Sequence, residues 1–172
     1  GVTHLAVDCP CSERGAPASH VYFPVDGFIS LVTQVDGHPS LEVGMVGREG
    51  MLGAQFVLGA GSVPWQALVQ GPGAAWRIAA PAFRTQLGRS APLQRLLQRY
   101  LHVLMAQLVG AAACVRFHEI GPRLARRLLM SNDRAHGANV HSTQALLAQM
   151  LGVRRVGVTA AAAAMQRDGL IA

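Results

Sequence analysis

The sequence predicts an α+β fold in which an N-terminal β domain is followed by a long helix and then by a helical C-terminal region. Short β-rich runs separated by glycine-containing turns fill residues 20–83, a pattern typical of small barrels and jelly rolls. After Pro81 the apolar residues recur at helical spacing instead. With 172 residues and a 51% hydrophobic composition, the chain is long and apolar enough to form a globular core.

The clearest strand pair in the β domain surrounds an Asp-Gly turn. The stretch "VDGH" separates "ISLVTQ" from "PSLEVGMV", and Asp-Gly between β-rich runs is a strong hairpin signal. Two further strands are predicted in "WQALVQ" and "AAWRIA", and a short helix follows over residues 82–88. Together these elements define a predicted β domain over residues 1–91.

A long helix over residues 92–117 carries a continuous apolar stripe. Pro92 suits the first turn of a helix, and the apolar residues after it recur at steps of three and four. Since other faces are also apolar, one face can pack on the β domain and another on a partner chain; a helix packed only on its own domain is the alternative. The predicted homodimer residues are Leu93, Leu97, Tyr100, Leu104, Leu108 and Ala111.

The C-terminal region, residues 118–172, is predicted to begin where Gly121 and Pro122 break the long helix. The stretch "RLARRLLMSNDRA" then predicts a second helix, which Gly137 ends. We expect the leucines of this helix to face inward, namely Leu124, Leu128 and Leu129. Its arginines should face outward, namely Arg123, Arg126 and Arg127.

Two more helices joined by a glycine turn complete this region. Residues 144–150 form a short predicted helix, which Ser142 or Thr143 can cap. Gly152 can take the positive φ that a tight turn needs, and the next helix runs to about Arg167. This is the helix-turn-helix pattern, whose second helix can enter the major groove of DNA.

The second helix of this motif has the chemistry that the role requires. Arg154 and Arg155 lie at its N-terminus, where backbone amides favour phosphate, and arginine can bind guanine bidentately. The five alanines that follow Thr159 propagate the helix, and their lack of bulk permits close approach. The predicted inward face holds Val158, Ala161, Ala162 and Met165. The candidate DNA-binding residues are Thr143, Gln144, Arg154, Arg155, Val156, Thr159 and Ala160.

Charge and cysteine content fit a protein that binds DNA in the cytoplasm. Residues 1–83 hold three arginines against six acidic residues, a net charge of −3, whereas residues 84–172 hold twelve arginines against three, a net charge of +9. This asymmetry indicates a polyanion such as double-stranded DNA as a partner of the second half, but a solvated basic surface explains the charge equally well. Three cysteines do not form a disulfide framework, and we expect neither a membrane span nor a secretory signal.

Several stretches closely resemble the Crp/Fnr family of bacterial transcription regulators: "HVYFPVDGFISLV", "VGREGMLG", the long helix and "TQALLAQMLGVRRVGVTAAAAAMQRDGLI". The resemblance runs from about His20 to Ile171. It implies a cyclic-nucleotide-binding-like β-roll, a dimerisation helix and a winged helix-turn-helix whose wing is truncated or absent here. It also implies a homodimer on a pseudo-palindromic operator, contact with RNA polymerase, and Arg155 as a base-contacting residue.

The sequence departs from the family pattern where effectors bind. The family's cyclic-AMP binders carry Gly-Glu and then Arg-Ser, but the corresponding residues here are Gly53-Ala54 and Pro64-Trp65. A buried phosphate without its cation is costly, so cyclic AMP is not expected, no cofactor is predicted, and the effector stays unidentified. Cys9 and Cys11 are too few for an iron–sulfur cluster, and the loop histidines are not expected to bind haem.

Two other functions remain open from the sequence. A cupin-like metal-dependent enzyme would need clustered histidines and carboxylates, but residues 20–83 contain only His20 and His38. An interaction module with a non-functional helix-turn-helix would show no salt-dependent affinity for DNA.

Overall fold

The computed structural model describes residues 1–7, 10–135 and 142–171, so Cys9, Gly137 and His141 lie outside the described residues. In the described ranges, seven strands and a 3₁₀ helix precede five α-helices. The strands are β1 (Val2–Leu5), β2 (Pro10–Ser12), β3 (His20–Pro24), β4 (Phe28–Thr33), β5 (Leu41–Val46), β6 (Gln66–Gly71) and β7 (Gly73–Ala79). The 3₁₀ helix is Ala54–Leu58, and the α-helices are α1 (Ala80–Arg89), α2 (Ala91–Phe117), α3 (Ile120–Ala135), α4 (Gln144–Leu151) and α5 (Arg155–Arg167).

The strands form two antiparallel sheets that enclose the first core. One sheet has the order β1-β7-β3 and the other β2-β6-β4-β5. The predicted hairpin is confirmed: β4 pairs with β5, with Ile29 opposite Val46. Both residues are fully buried, because each faces the space between the sheets. Strands β1 and β2 precede the region that the sequence pattern identified, and each adds to the edge of a sheet.

Helix α2 packs its apolar stripe on the β domain of its own chain. Leu97 and Leu104 are 5% and 8% exposed and belong to the β-domain core. Leu93, Tyr100 and Leu108 pack against that core, and Ala111 is half-buried at the junction with α3. This corrects the assignment of the six stripe residues to the dimer interface: the stripe faces β5, the 3₁₀ helix and α1 of its own chain.

A two-point hydrogen bond fixes α2 along the edge strand β5. Gln107 in α2 accepts from the backbone nitrogen of Met45 at 2.6 Å and donates to the Met45 carbonyl at 3.1 Å. Its side-chain amide thus takes the place of a neighbouring strand at this position. These two hydrogen bonds therefore fix the position of α2 along the edge of the sheet.

Helix α3 differs from its prediction in where it begins and in which side chains it buries. The two residues between α2 and α3 are His118 and Glu119. Pro122 lies inside the first turn of α3, where a missing backbone N–H is tolerated. Leu124 is buried as predicted, but Leu129 is 64% exposed and Arg127 only 4% exposed. The reason is tertiary: α3 turns its Arg127 face towards the β domain, which supplies an acidic partner.

That partner is Glu42 in β5. Nη2 of Arg127 lies 3.2 Å from Oε2 of Glu42, which also accepts a 2.5 Å hydrogen bond from the hydroxyl of Ser30. Burial raises the pKa of the Glu42 carboxyl, and the nearby Arg127 charge and the Ser30 hydrogen bond oppose that rise. A second ion pair joins Arg134 of α3 to Glu49 at 2.7 Å. Two ion pairs therefore link α3 to the β domain.

Candidate DNA-binding surface

Helices α3, α4 and α5 enclose a second core. Leu124 from α3, Leu147 from α4 and Val158 from α5 meet there, and all three are buried. Ile120 and Met165 pack against the same cluster from its ends. Because each helix contributes one apolar face, the opposite faces of α4 and α5 remain available to solvent.

The two helices of the helix-turn-helix motif have well-defined ends. Thr143 caps α4, since its hydroxyl oxygen accepts from the backbone nitrogen of Leu146 at 3.1 Å. Gly152 ends the helix with a φ of 63°, in the left-handed region that glycine adopts without strain. The chain then reverses within three residues, and Arg154 occupies the N-cap position of α5.

Helix α5 presents the predicted faces. Val158 and Ala162 are 0% and 8% exposed, and Ala161 and Met165 pack against the same core, so the predicted inward face is confirmed. On the other side, Val156 is 73% exposed. The other outward candidates in this helix and its cap are exposed as well: Arg154, Arg155, Thr159 and Ala160.

Of the predicted site residues, the structure directly joins one pair across the two helices. The Thr159 hydroxyl donates to Oε1 of Gln144 at 2.6 Å. Gln144 is the first residue of α4 and is half-buried, whereas Thr143 beside it is exposed. The N-terminus of α4 therefore lies beside the first turns of α5, and the candidate residues form one continuous surface.

The two arginines at the start of α5 are unpaired within residues 1–7, 10–135 and 142–171. Both ion pairs of the described chain are made by other arginines, Arg127 and Arg134. Arg154 and Arg155 also lie next to the unsatisfied amides of a helix N-terminus. This end of α5 combines two exposed cations with a positive dipole end, the arrangement that binds an anionic backbone.

Gly157 is a packing position between α5 and α3 that the sequence pattern did not identify. A Cβ atom built there would lie 2.4 Å from Cδ1 of Ile120. The absence of a side chain at this position leaves room for the end of the Ile120 side chain between α5 and α3. A glycine between an exposed valine and a buried one was the available signal in the sequence.

The β domain bears on the alternative functions. No group of three or more metal-ligating side chains occurs among the described residues. Beside the 3₁₀ helix lies a cavity of about 90 Å³, whose lining includes Gly53, Ala54 and Trp65 together with Leu101 and Leu104 of α2. The most polar residue of this lining is Gln55. The lining therefore carries no cationic side chain that could bind a phosphate.

Comparisons with known proteins give a family match for the C-terminal part of the chain and a fold match for the whole of it. The family model of the Crp-like helix-turn-helix domain matches residues 122–172. No curated protein matches the sequence.

Solved structures with low sequence identity share the fold. FixK2 from Bradyrhizobium japonicum superposes with a TM-score of 0.82 at 14% identity, over 100% of this chain and 87% of that one. A CRP-family transcriptional regulator from Thermus thermophilus superposes with a TM-score of 0.80 at 19% identity, over 99% of this chain and 87% of that one. A second regulator from that organism, of the CRP/FNR family, has a TM-score of 0.76 at 17% identity, over 98% of this chain and 87% of that one. The chain therefore has the fold of the Crp/Fnr transcription regulators, with a Crp-like helix-turn-helix domain at residues 122–172.

Proposed function

We propose that this protein is a homodimeric, sequence-specific transcription regulator that reads the major groove of DNA with α5. The observation that carries the proposal is the outer face of α5, where Arg154 and Arg155 are exposed at the N-terminus of a helix whose inner face is buried. A helix held in this way can enter the groove without losing its packing. We divide the chain into a β domain at 1–91, a dimerisation helix at 92–117 and a DNA-binding domain at 118–172.

Individual residues have separate roles in this proposal. Arg155 binds a guanine edge, because it lies in the first turn of α5 on the face opposite Val158. Arg154, one residue earlier, and Thr143, at the cap of α4, hold phosphates. The small outward side chains Val156 and Ala160 touch bases, where apolar groups can contact thymine methyls. Gln144 and Thr159 position the two helices relative to each other.

The dimer seam that we propose lies on the face of α2 opposite the β domain. Leu96, Val103, Gly110 and Phe117 are all exposed and recur at seven-residue intervals. Ala106 and Ala113 follow three residues after two of them and are exposed as well, which completes a heptad pattern. Leu96 and Phe117 are 63% and 76% exposed, an unusual exposure for large apolar side chains unless a partner covers them.

Hydropathy alone gives α2 a second interpretation. Its length and its mean hydropathy of 1.4 over an 18-residue window would allow it to cross a membrane, and 22% of that window is buried. We assign the exposed part to the second subunit, because the opposite face of the same helix already packs on the β domain.

Regulation in this proposal does not use cyclic AMP. The cavity beside the 3₁₀ helix has an apolar lining, and a phosphate there would lose its hydration without gaining a cation. RNA polymerase is the partner through which the bound dimer would act on transcription, in the cytoplasm.

Selection of bound sequences from random DNA, with the full-length protein at two stated salt concentrations, tests this function. We expect enrichment of a pseudo-palindromic site whose halves are about one helical turn apart. Affinity for that site should fall steeply with salt. Binding without sequence enrichment would contradict the proposed readout, and no salt-dependent binding would favour the interaction module instead.

A further inference from the structure

A small cavity lies where the β domain, the long helix and the DNA-binding domain meet. Its volume is about 40 Å³. Four elements line it: β5, α2, α3 and α4. The side chains that matter for its chemistry are Glu42, Cys114, Arg123, Arg126 and Arg127.

Positive charge exceeds negative charge in this lining. Arg123, Arg126 and Arg127 belong to the lining, and Glu42 contributes the one carboxylate among the lining residues. Arg127 already pairs with that carboxylate and also donates to the Ser131 hydroxyl at 3.0 Å. Arg123 directs its Nη2 to the carbonyl of Leu151. One carboxylate thus stands against three arginines, and the lining keeps an excess of positive charge.

Buried donors in the same lining also have no partner. The Nε atoms of Arg123 and Arg127 are buried without a hydrogen-bond acceptor in the described part of the chain. Arg127 is only 4% exposed, so bulk water cannot serve as its acceptor. An unsatisfied buried donor is unfavourable, and more so on a charged group, which makes an occupant of the cavity favourable.

We propose that this cavity binds a small oxyanion of about the size of nitrate, held by Arg123, Arg126 and Arg127. A volume of about 40 Å³ is room for roughly three water molecules at about 10–15 Å³ each, or for one oxyanion of similar bulk. Guanidinium groups bind planar oxyanions through paired N–H donors. Oxygen atoms of the anion would accept from the unpartnered Nε atoms and would neutralise part of the excess charge.

The position gives the site a consequence for the whole molecule. Glu42 belongs to the β domain, Cys114 to α2 and the arginines to α3, so an occupied cavity ties all three parts together. The anion would favour the arrangement of the DNA-binding domain seen in this structure over any in which α3 leaves β5, because it binds that arrangement more tightly.

Calorimetric titration of the full chain with sodium nitrate tests the site, with chloride exchanged to hold the ionic strength constant. We expect saturable binding with one anion per chain. Arg126→Gln should weaken it about tenfold or more, since it removes one forked donor. Arg95→Gln is the matched control, because Arg95 is an exposed arginine of α2 remote from this cavity. It should leave the affinity unchanged.

Protection of Cys114 from alkylation gives a readout that needs no arginine variant. In a chain with Cys9→Ser and Cys11→Ser, Cys114 is the remaining thiol, and it lines the cavity. Nitrate at saturation should slow its reaction with iodoacetamide about fivefold or more if the cavity is about nine-tenths occupied, by mass action. No saturable binding, equal loss in both arginine variants, or an unchanged alkylation rate would each overturn the proposal.

Discussion

The hydroxyl of Thr159 in α5 donates a 2.6 Å hydrogen bond to the side-chain amide of Gln144, the first residue of α4. The bond joins the two helices of the helix-turn-helix motif on their exposed side. A helix pair needs a fixed geometry to place one helix in the groove while the other contacts the backbone. The bond therefore acts on the spacing of the two helices at the surface where we place DNA.

Thr159→Val keeps the shape of the side chain but removes this hydrogen bond. We expect affinity for the selected operator to fall by about 1 kcal/mol, because helices that are held less firmly must be ordered when DNA binds. Unfolding free energy should change by less than about 0.5 kcal/mol, because the site is exposed. Filter binding and urea unfolding measure the two quantities. Thr159→Ser, which retains the donor, should bind as the wild type does; equal weakening by both variants would refute the role of the bond.

Charge placed in the exposed heptad of α2 should separate the dimer. Leu96→Glu with Val103→Glu would bury four carboxylates in the seam that we propose, which is prohibitive without partners. Sedimentation velocity should show a folded monomer. Gln98→Glu with Ala112→Glu adds the same charge to exposed positions of α2 outside the heptad and should leave the dimer intact. A heptad variant that remains dimeric would place the interface elsewhere.

Helical periodicity located α2 from the sequence but could not identify what its stripe contacts. Leu97 and Leu104 repeat as a coiled-coil seam would, yet the neighbour that covers them is the β domain of the same chain. The weaker pattern, Leu96 and Val103 with small residues after them, is the one left exposed. A stripe gives the direction of an apolar face, and only the tertiary arrangement decides which chain covers it.

Local motifs were easier to predict than long-range pairs. The cap at Thr143 and the turn at Gly152 follow from adjacent residues, and the structure has both. Arg127 was expected in solvent because a charged side chain is rarely buried. Its partner Glu42 lies 85 residues earlier in the chain, and no local pattern connects the two. The candidate DNA-binding face was therefore accessible to sequence reasoning, whereas the junction between domains was not.

The buried pair of Arg127 and Glu42 should respond strongly to loss of one partner. Arg127→Met leaves the carboxyl of Glu42 buried without its cation, and we expect a loss of about 3–5 kcal/mol in unfolding free energy. The double variant with Glu42→Gln removes both charges and should recover part of that loss. Urea unfolding at neutral pH provides the comparison.

The second ion pair supplies the control for this prediction. Glu49 is 38% exposed, so Arg134→Met should cost no more than about 1 kcal/mol. Equal effects of Arg127→Met and Arg134→Met would mean that burial does not distinguish the two pairs. A double variant less stable than Arg127→Met alone would show that the two charges do not act together.

Tyr100 should make the protein less stable in strongly alkaline solution. Its ring lies against Gly50, where a Cβ atom would be 2.1 Å from the ring, and burial raises the pKa of its hydroxyl to about 12. Unfolded tyrosine ionises near pH 10, so between pH 10 and 12 the folded chain retains a proton that the unfolded chain has lost. Stability therefore falls as the pH rises through this window, by at most about 2.7 kcal/mol.

Comparison with Tyr100→Phe measures this contribution. The variant lacks the ionisable group, so the wild type should lose unfolding free energy relative to it as the pH rises from 10 towards 12. The phenolate absorbance of the wild type should also contain a late step that the variant lacks, since Tyr22 is the other tyrosine of the chain. Parallel stability curves for the two proteins would contradict the raised pKa.

Replacement of the two arginines at the start of α5 should change DNA binding in two different ways. Arg155→Ala removes a base contact, so affinity for the selected site should fall by about 1–3 kcal/mol per half-site and preference at one base pair should relax. Arg154→Ala removes a phosphate contact, so affinity for specific and for random DNA should fall alike. The slope of log affinity against log salt concentration should become smaller by about one per contact. Binding to the selected site and its single-base variants across a salt series separates these outcomes. If Arg155→Ala weakened every variant equally, charge alone would position α5, and specificity would have to arise from the shape and deformability of the DNA.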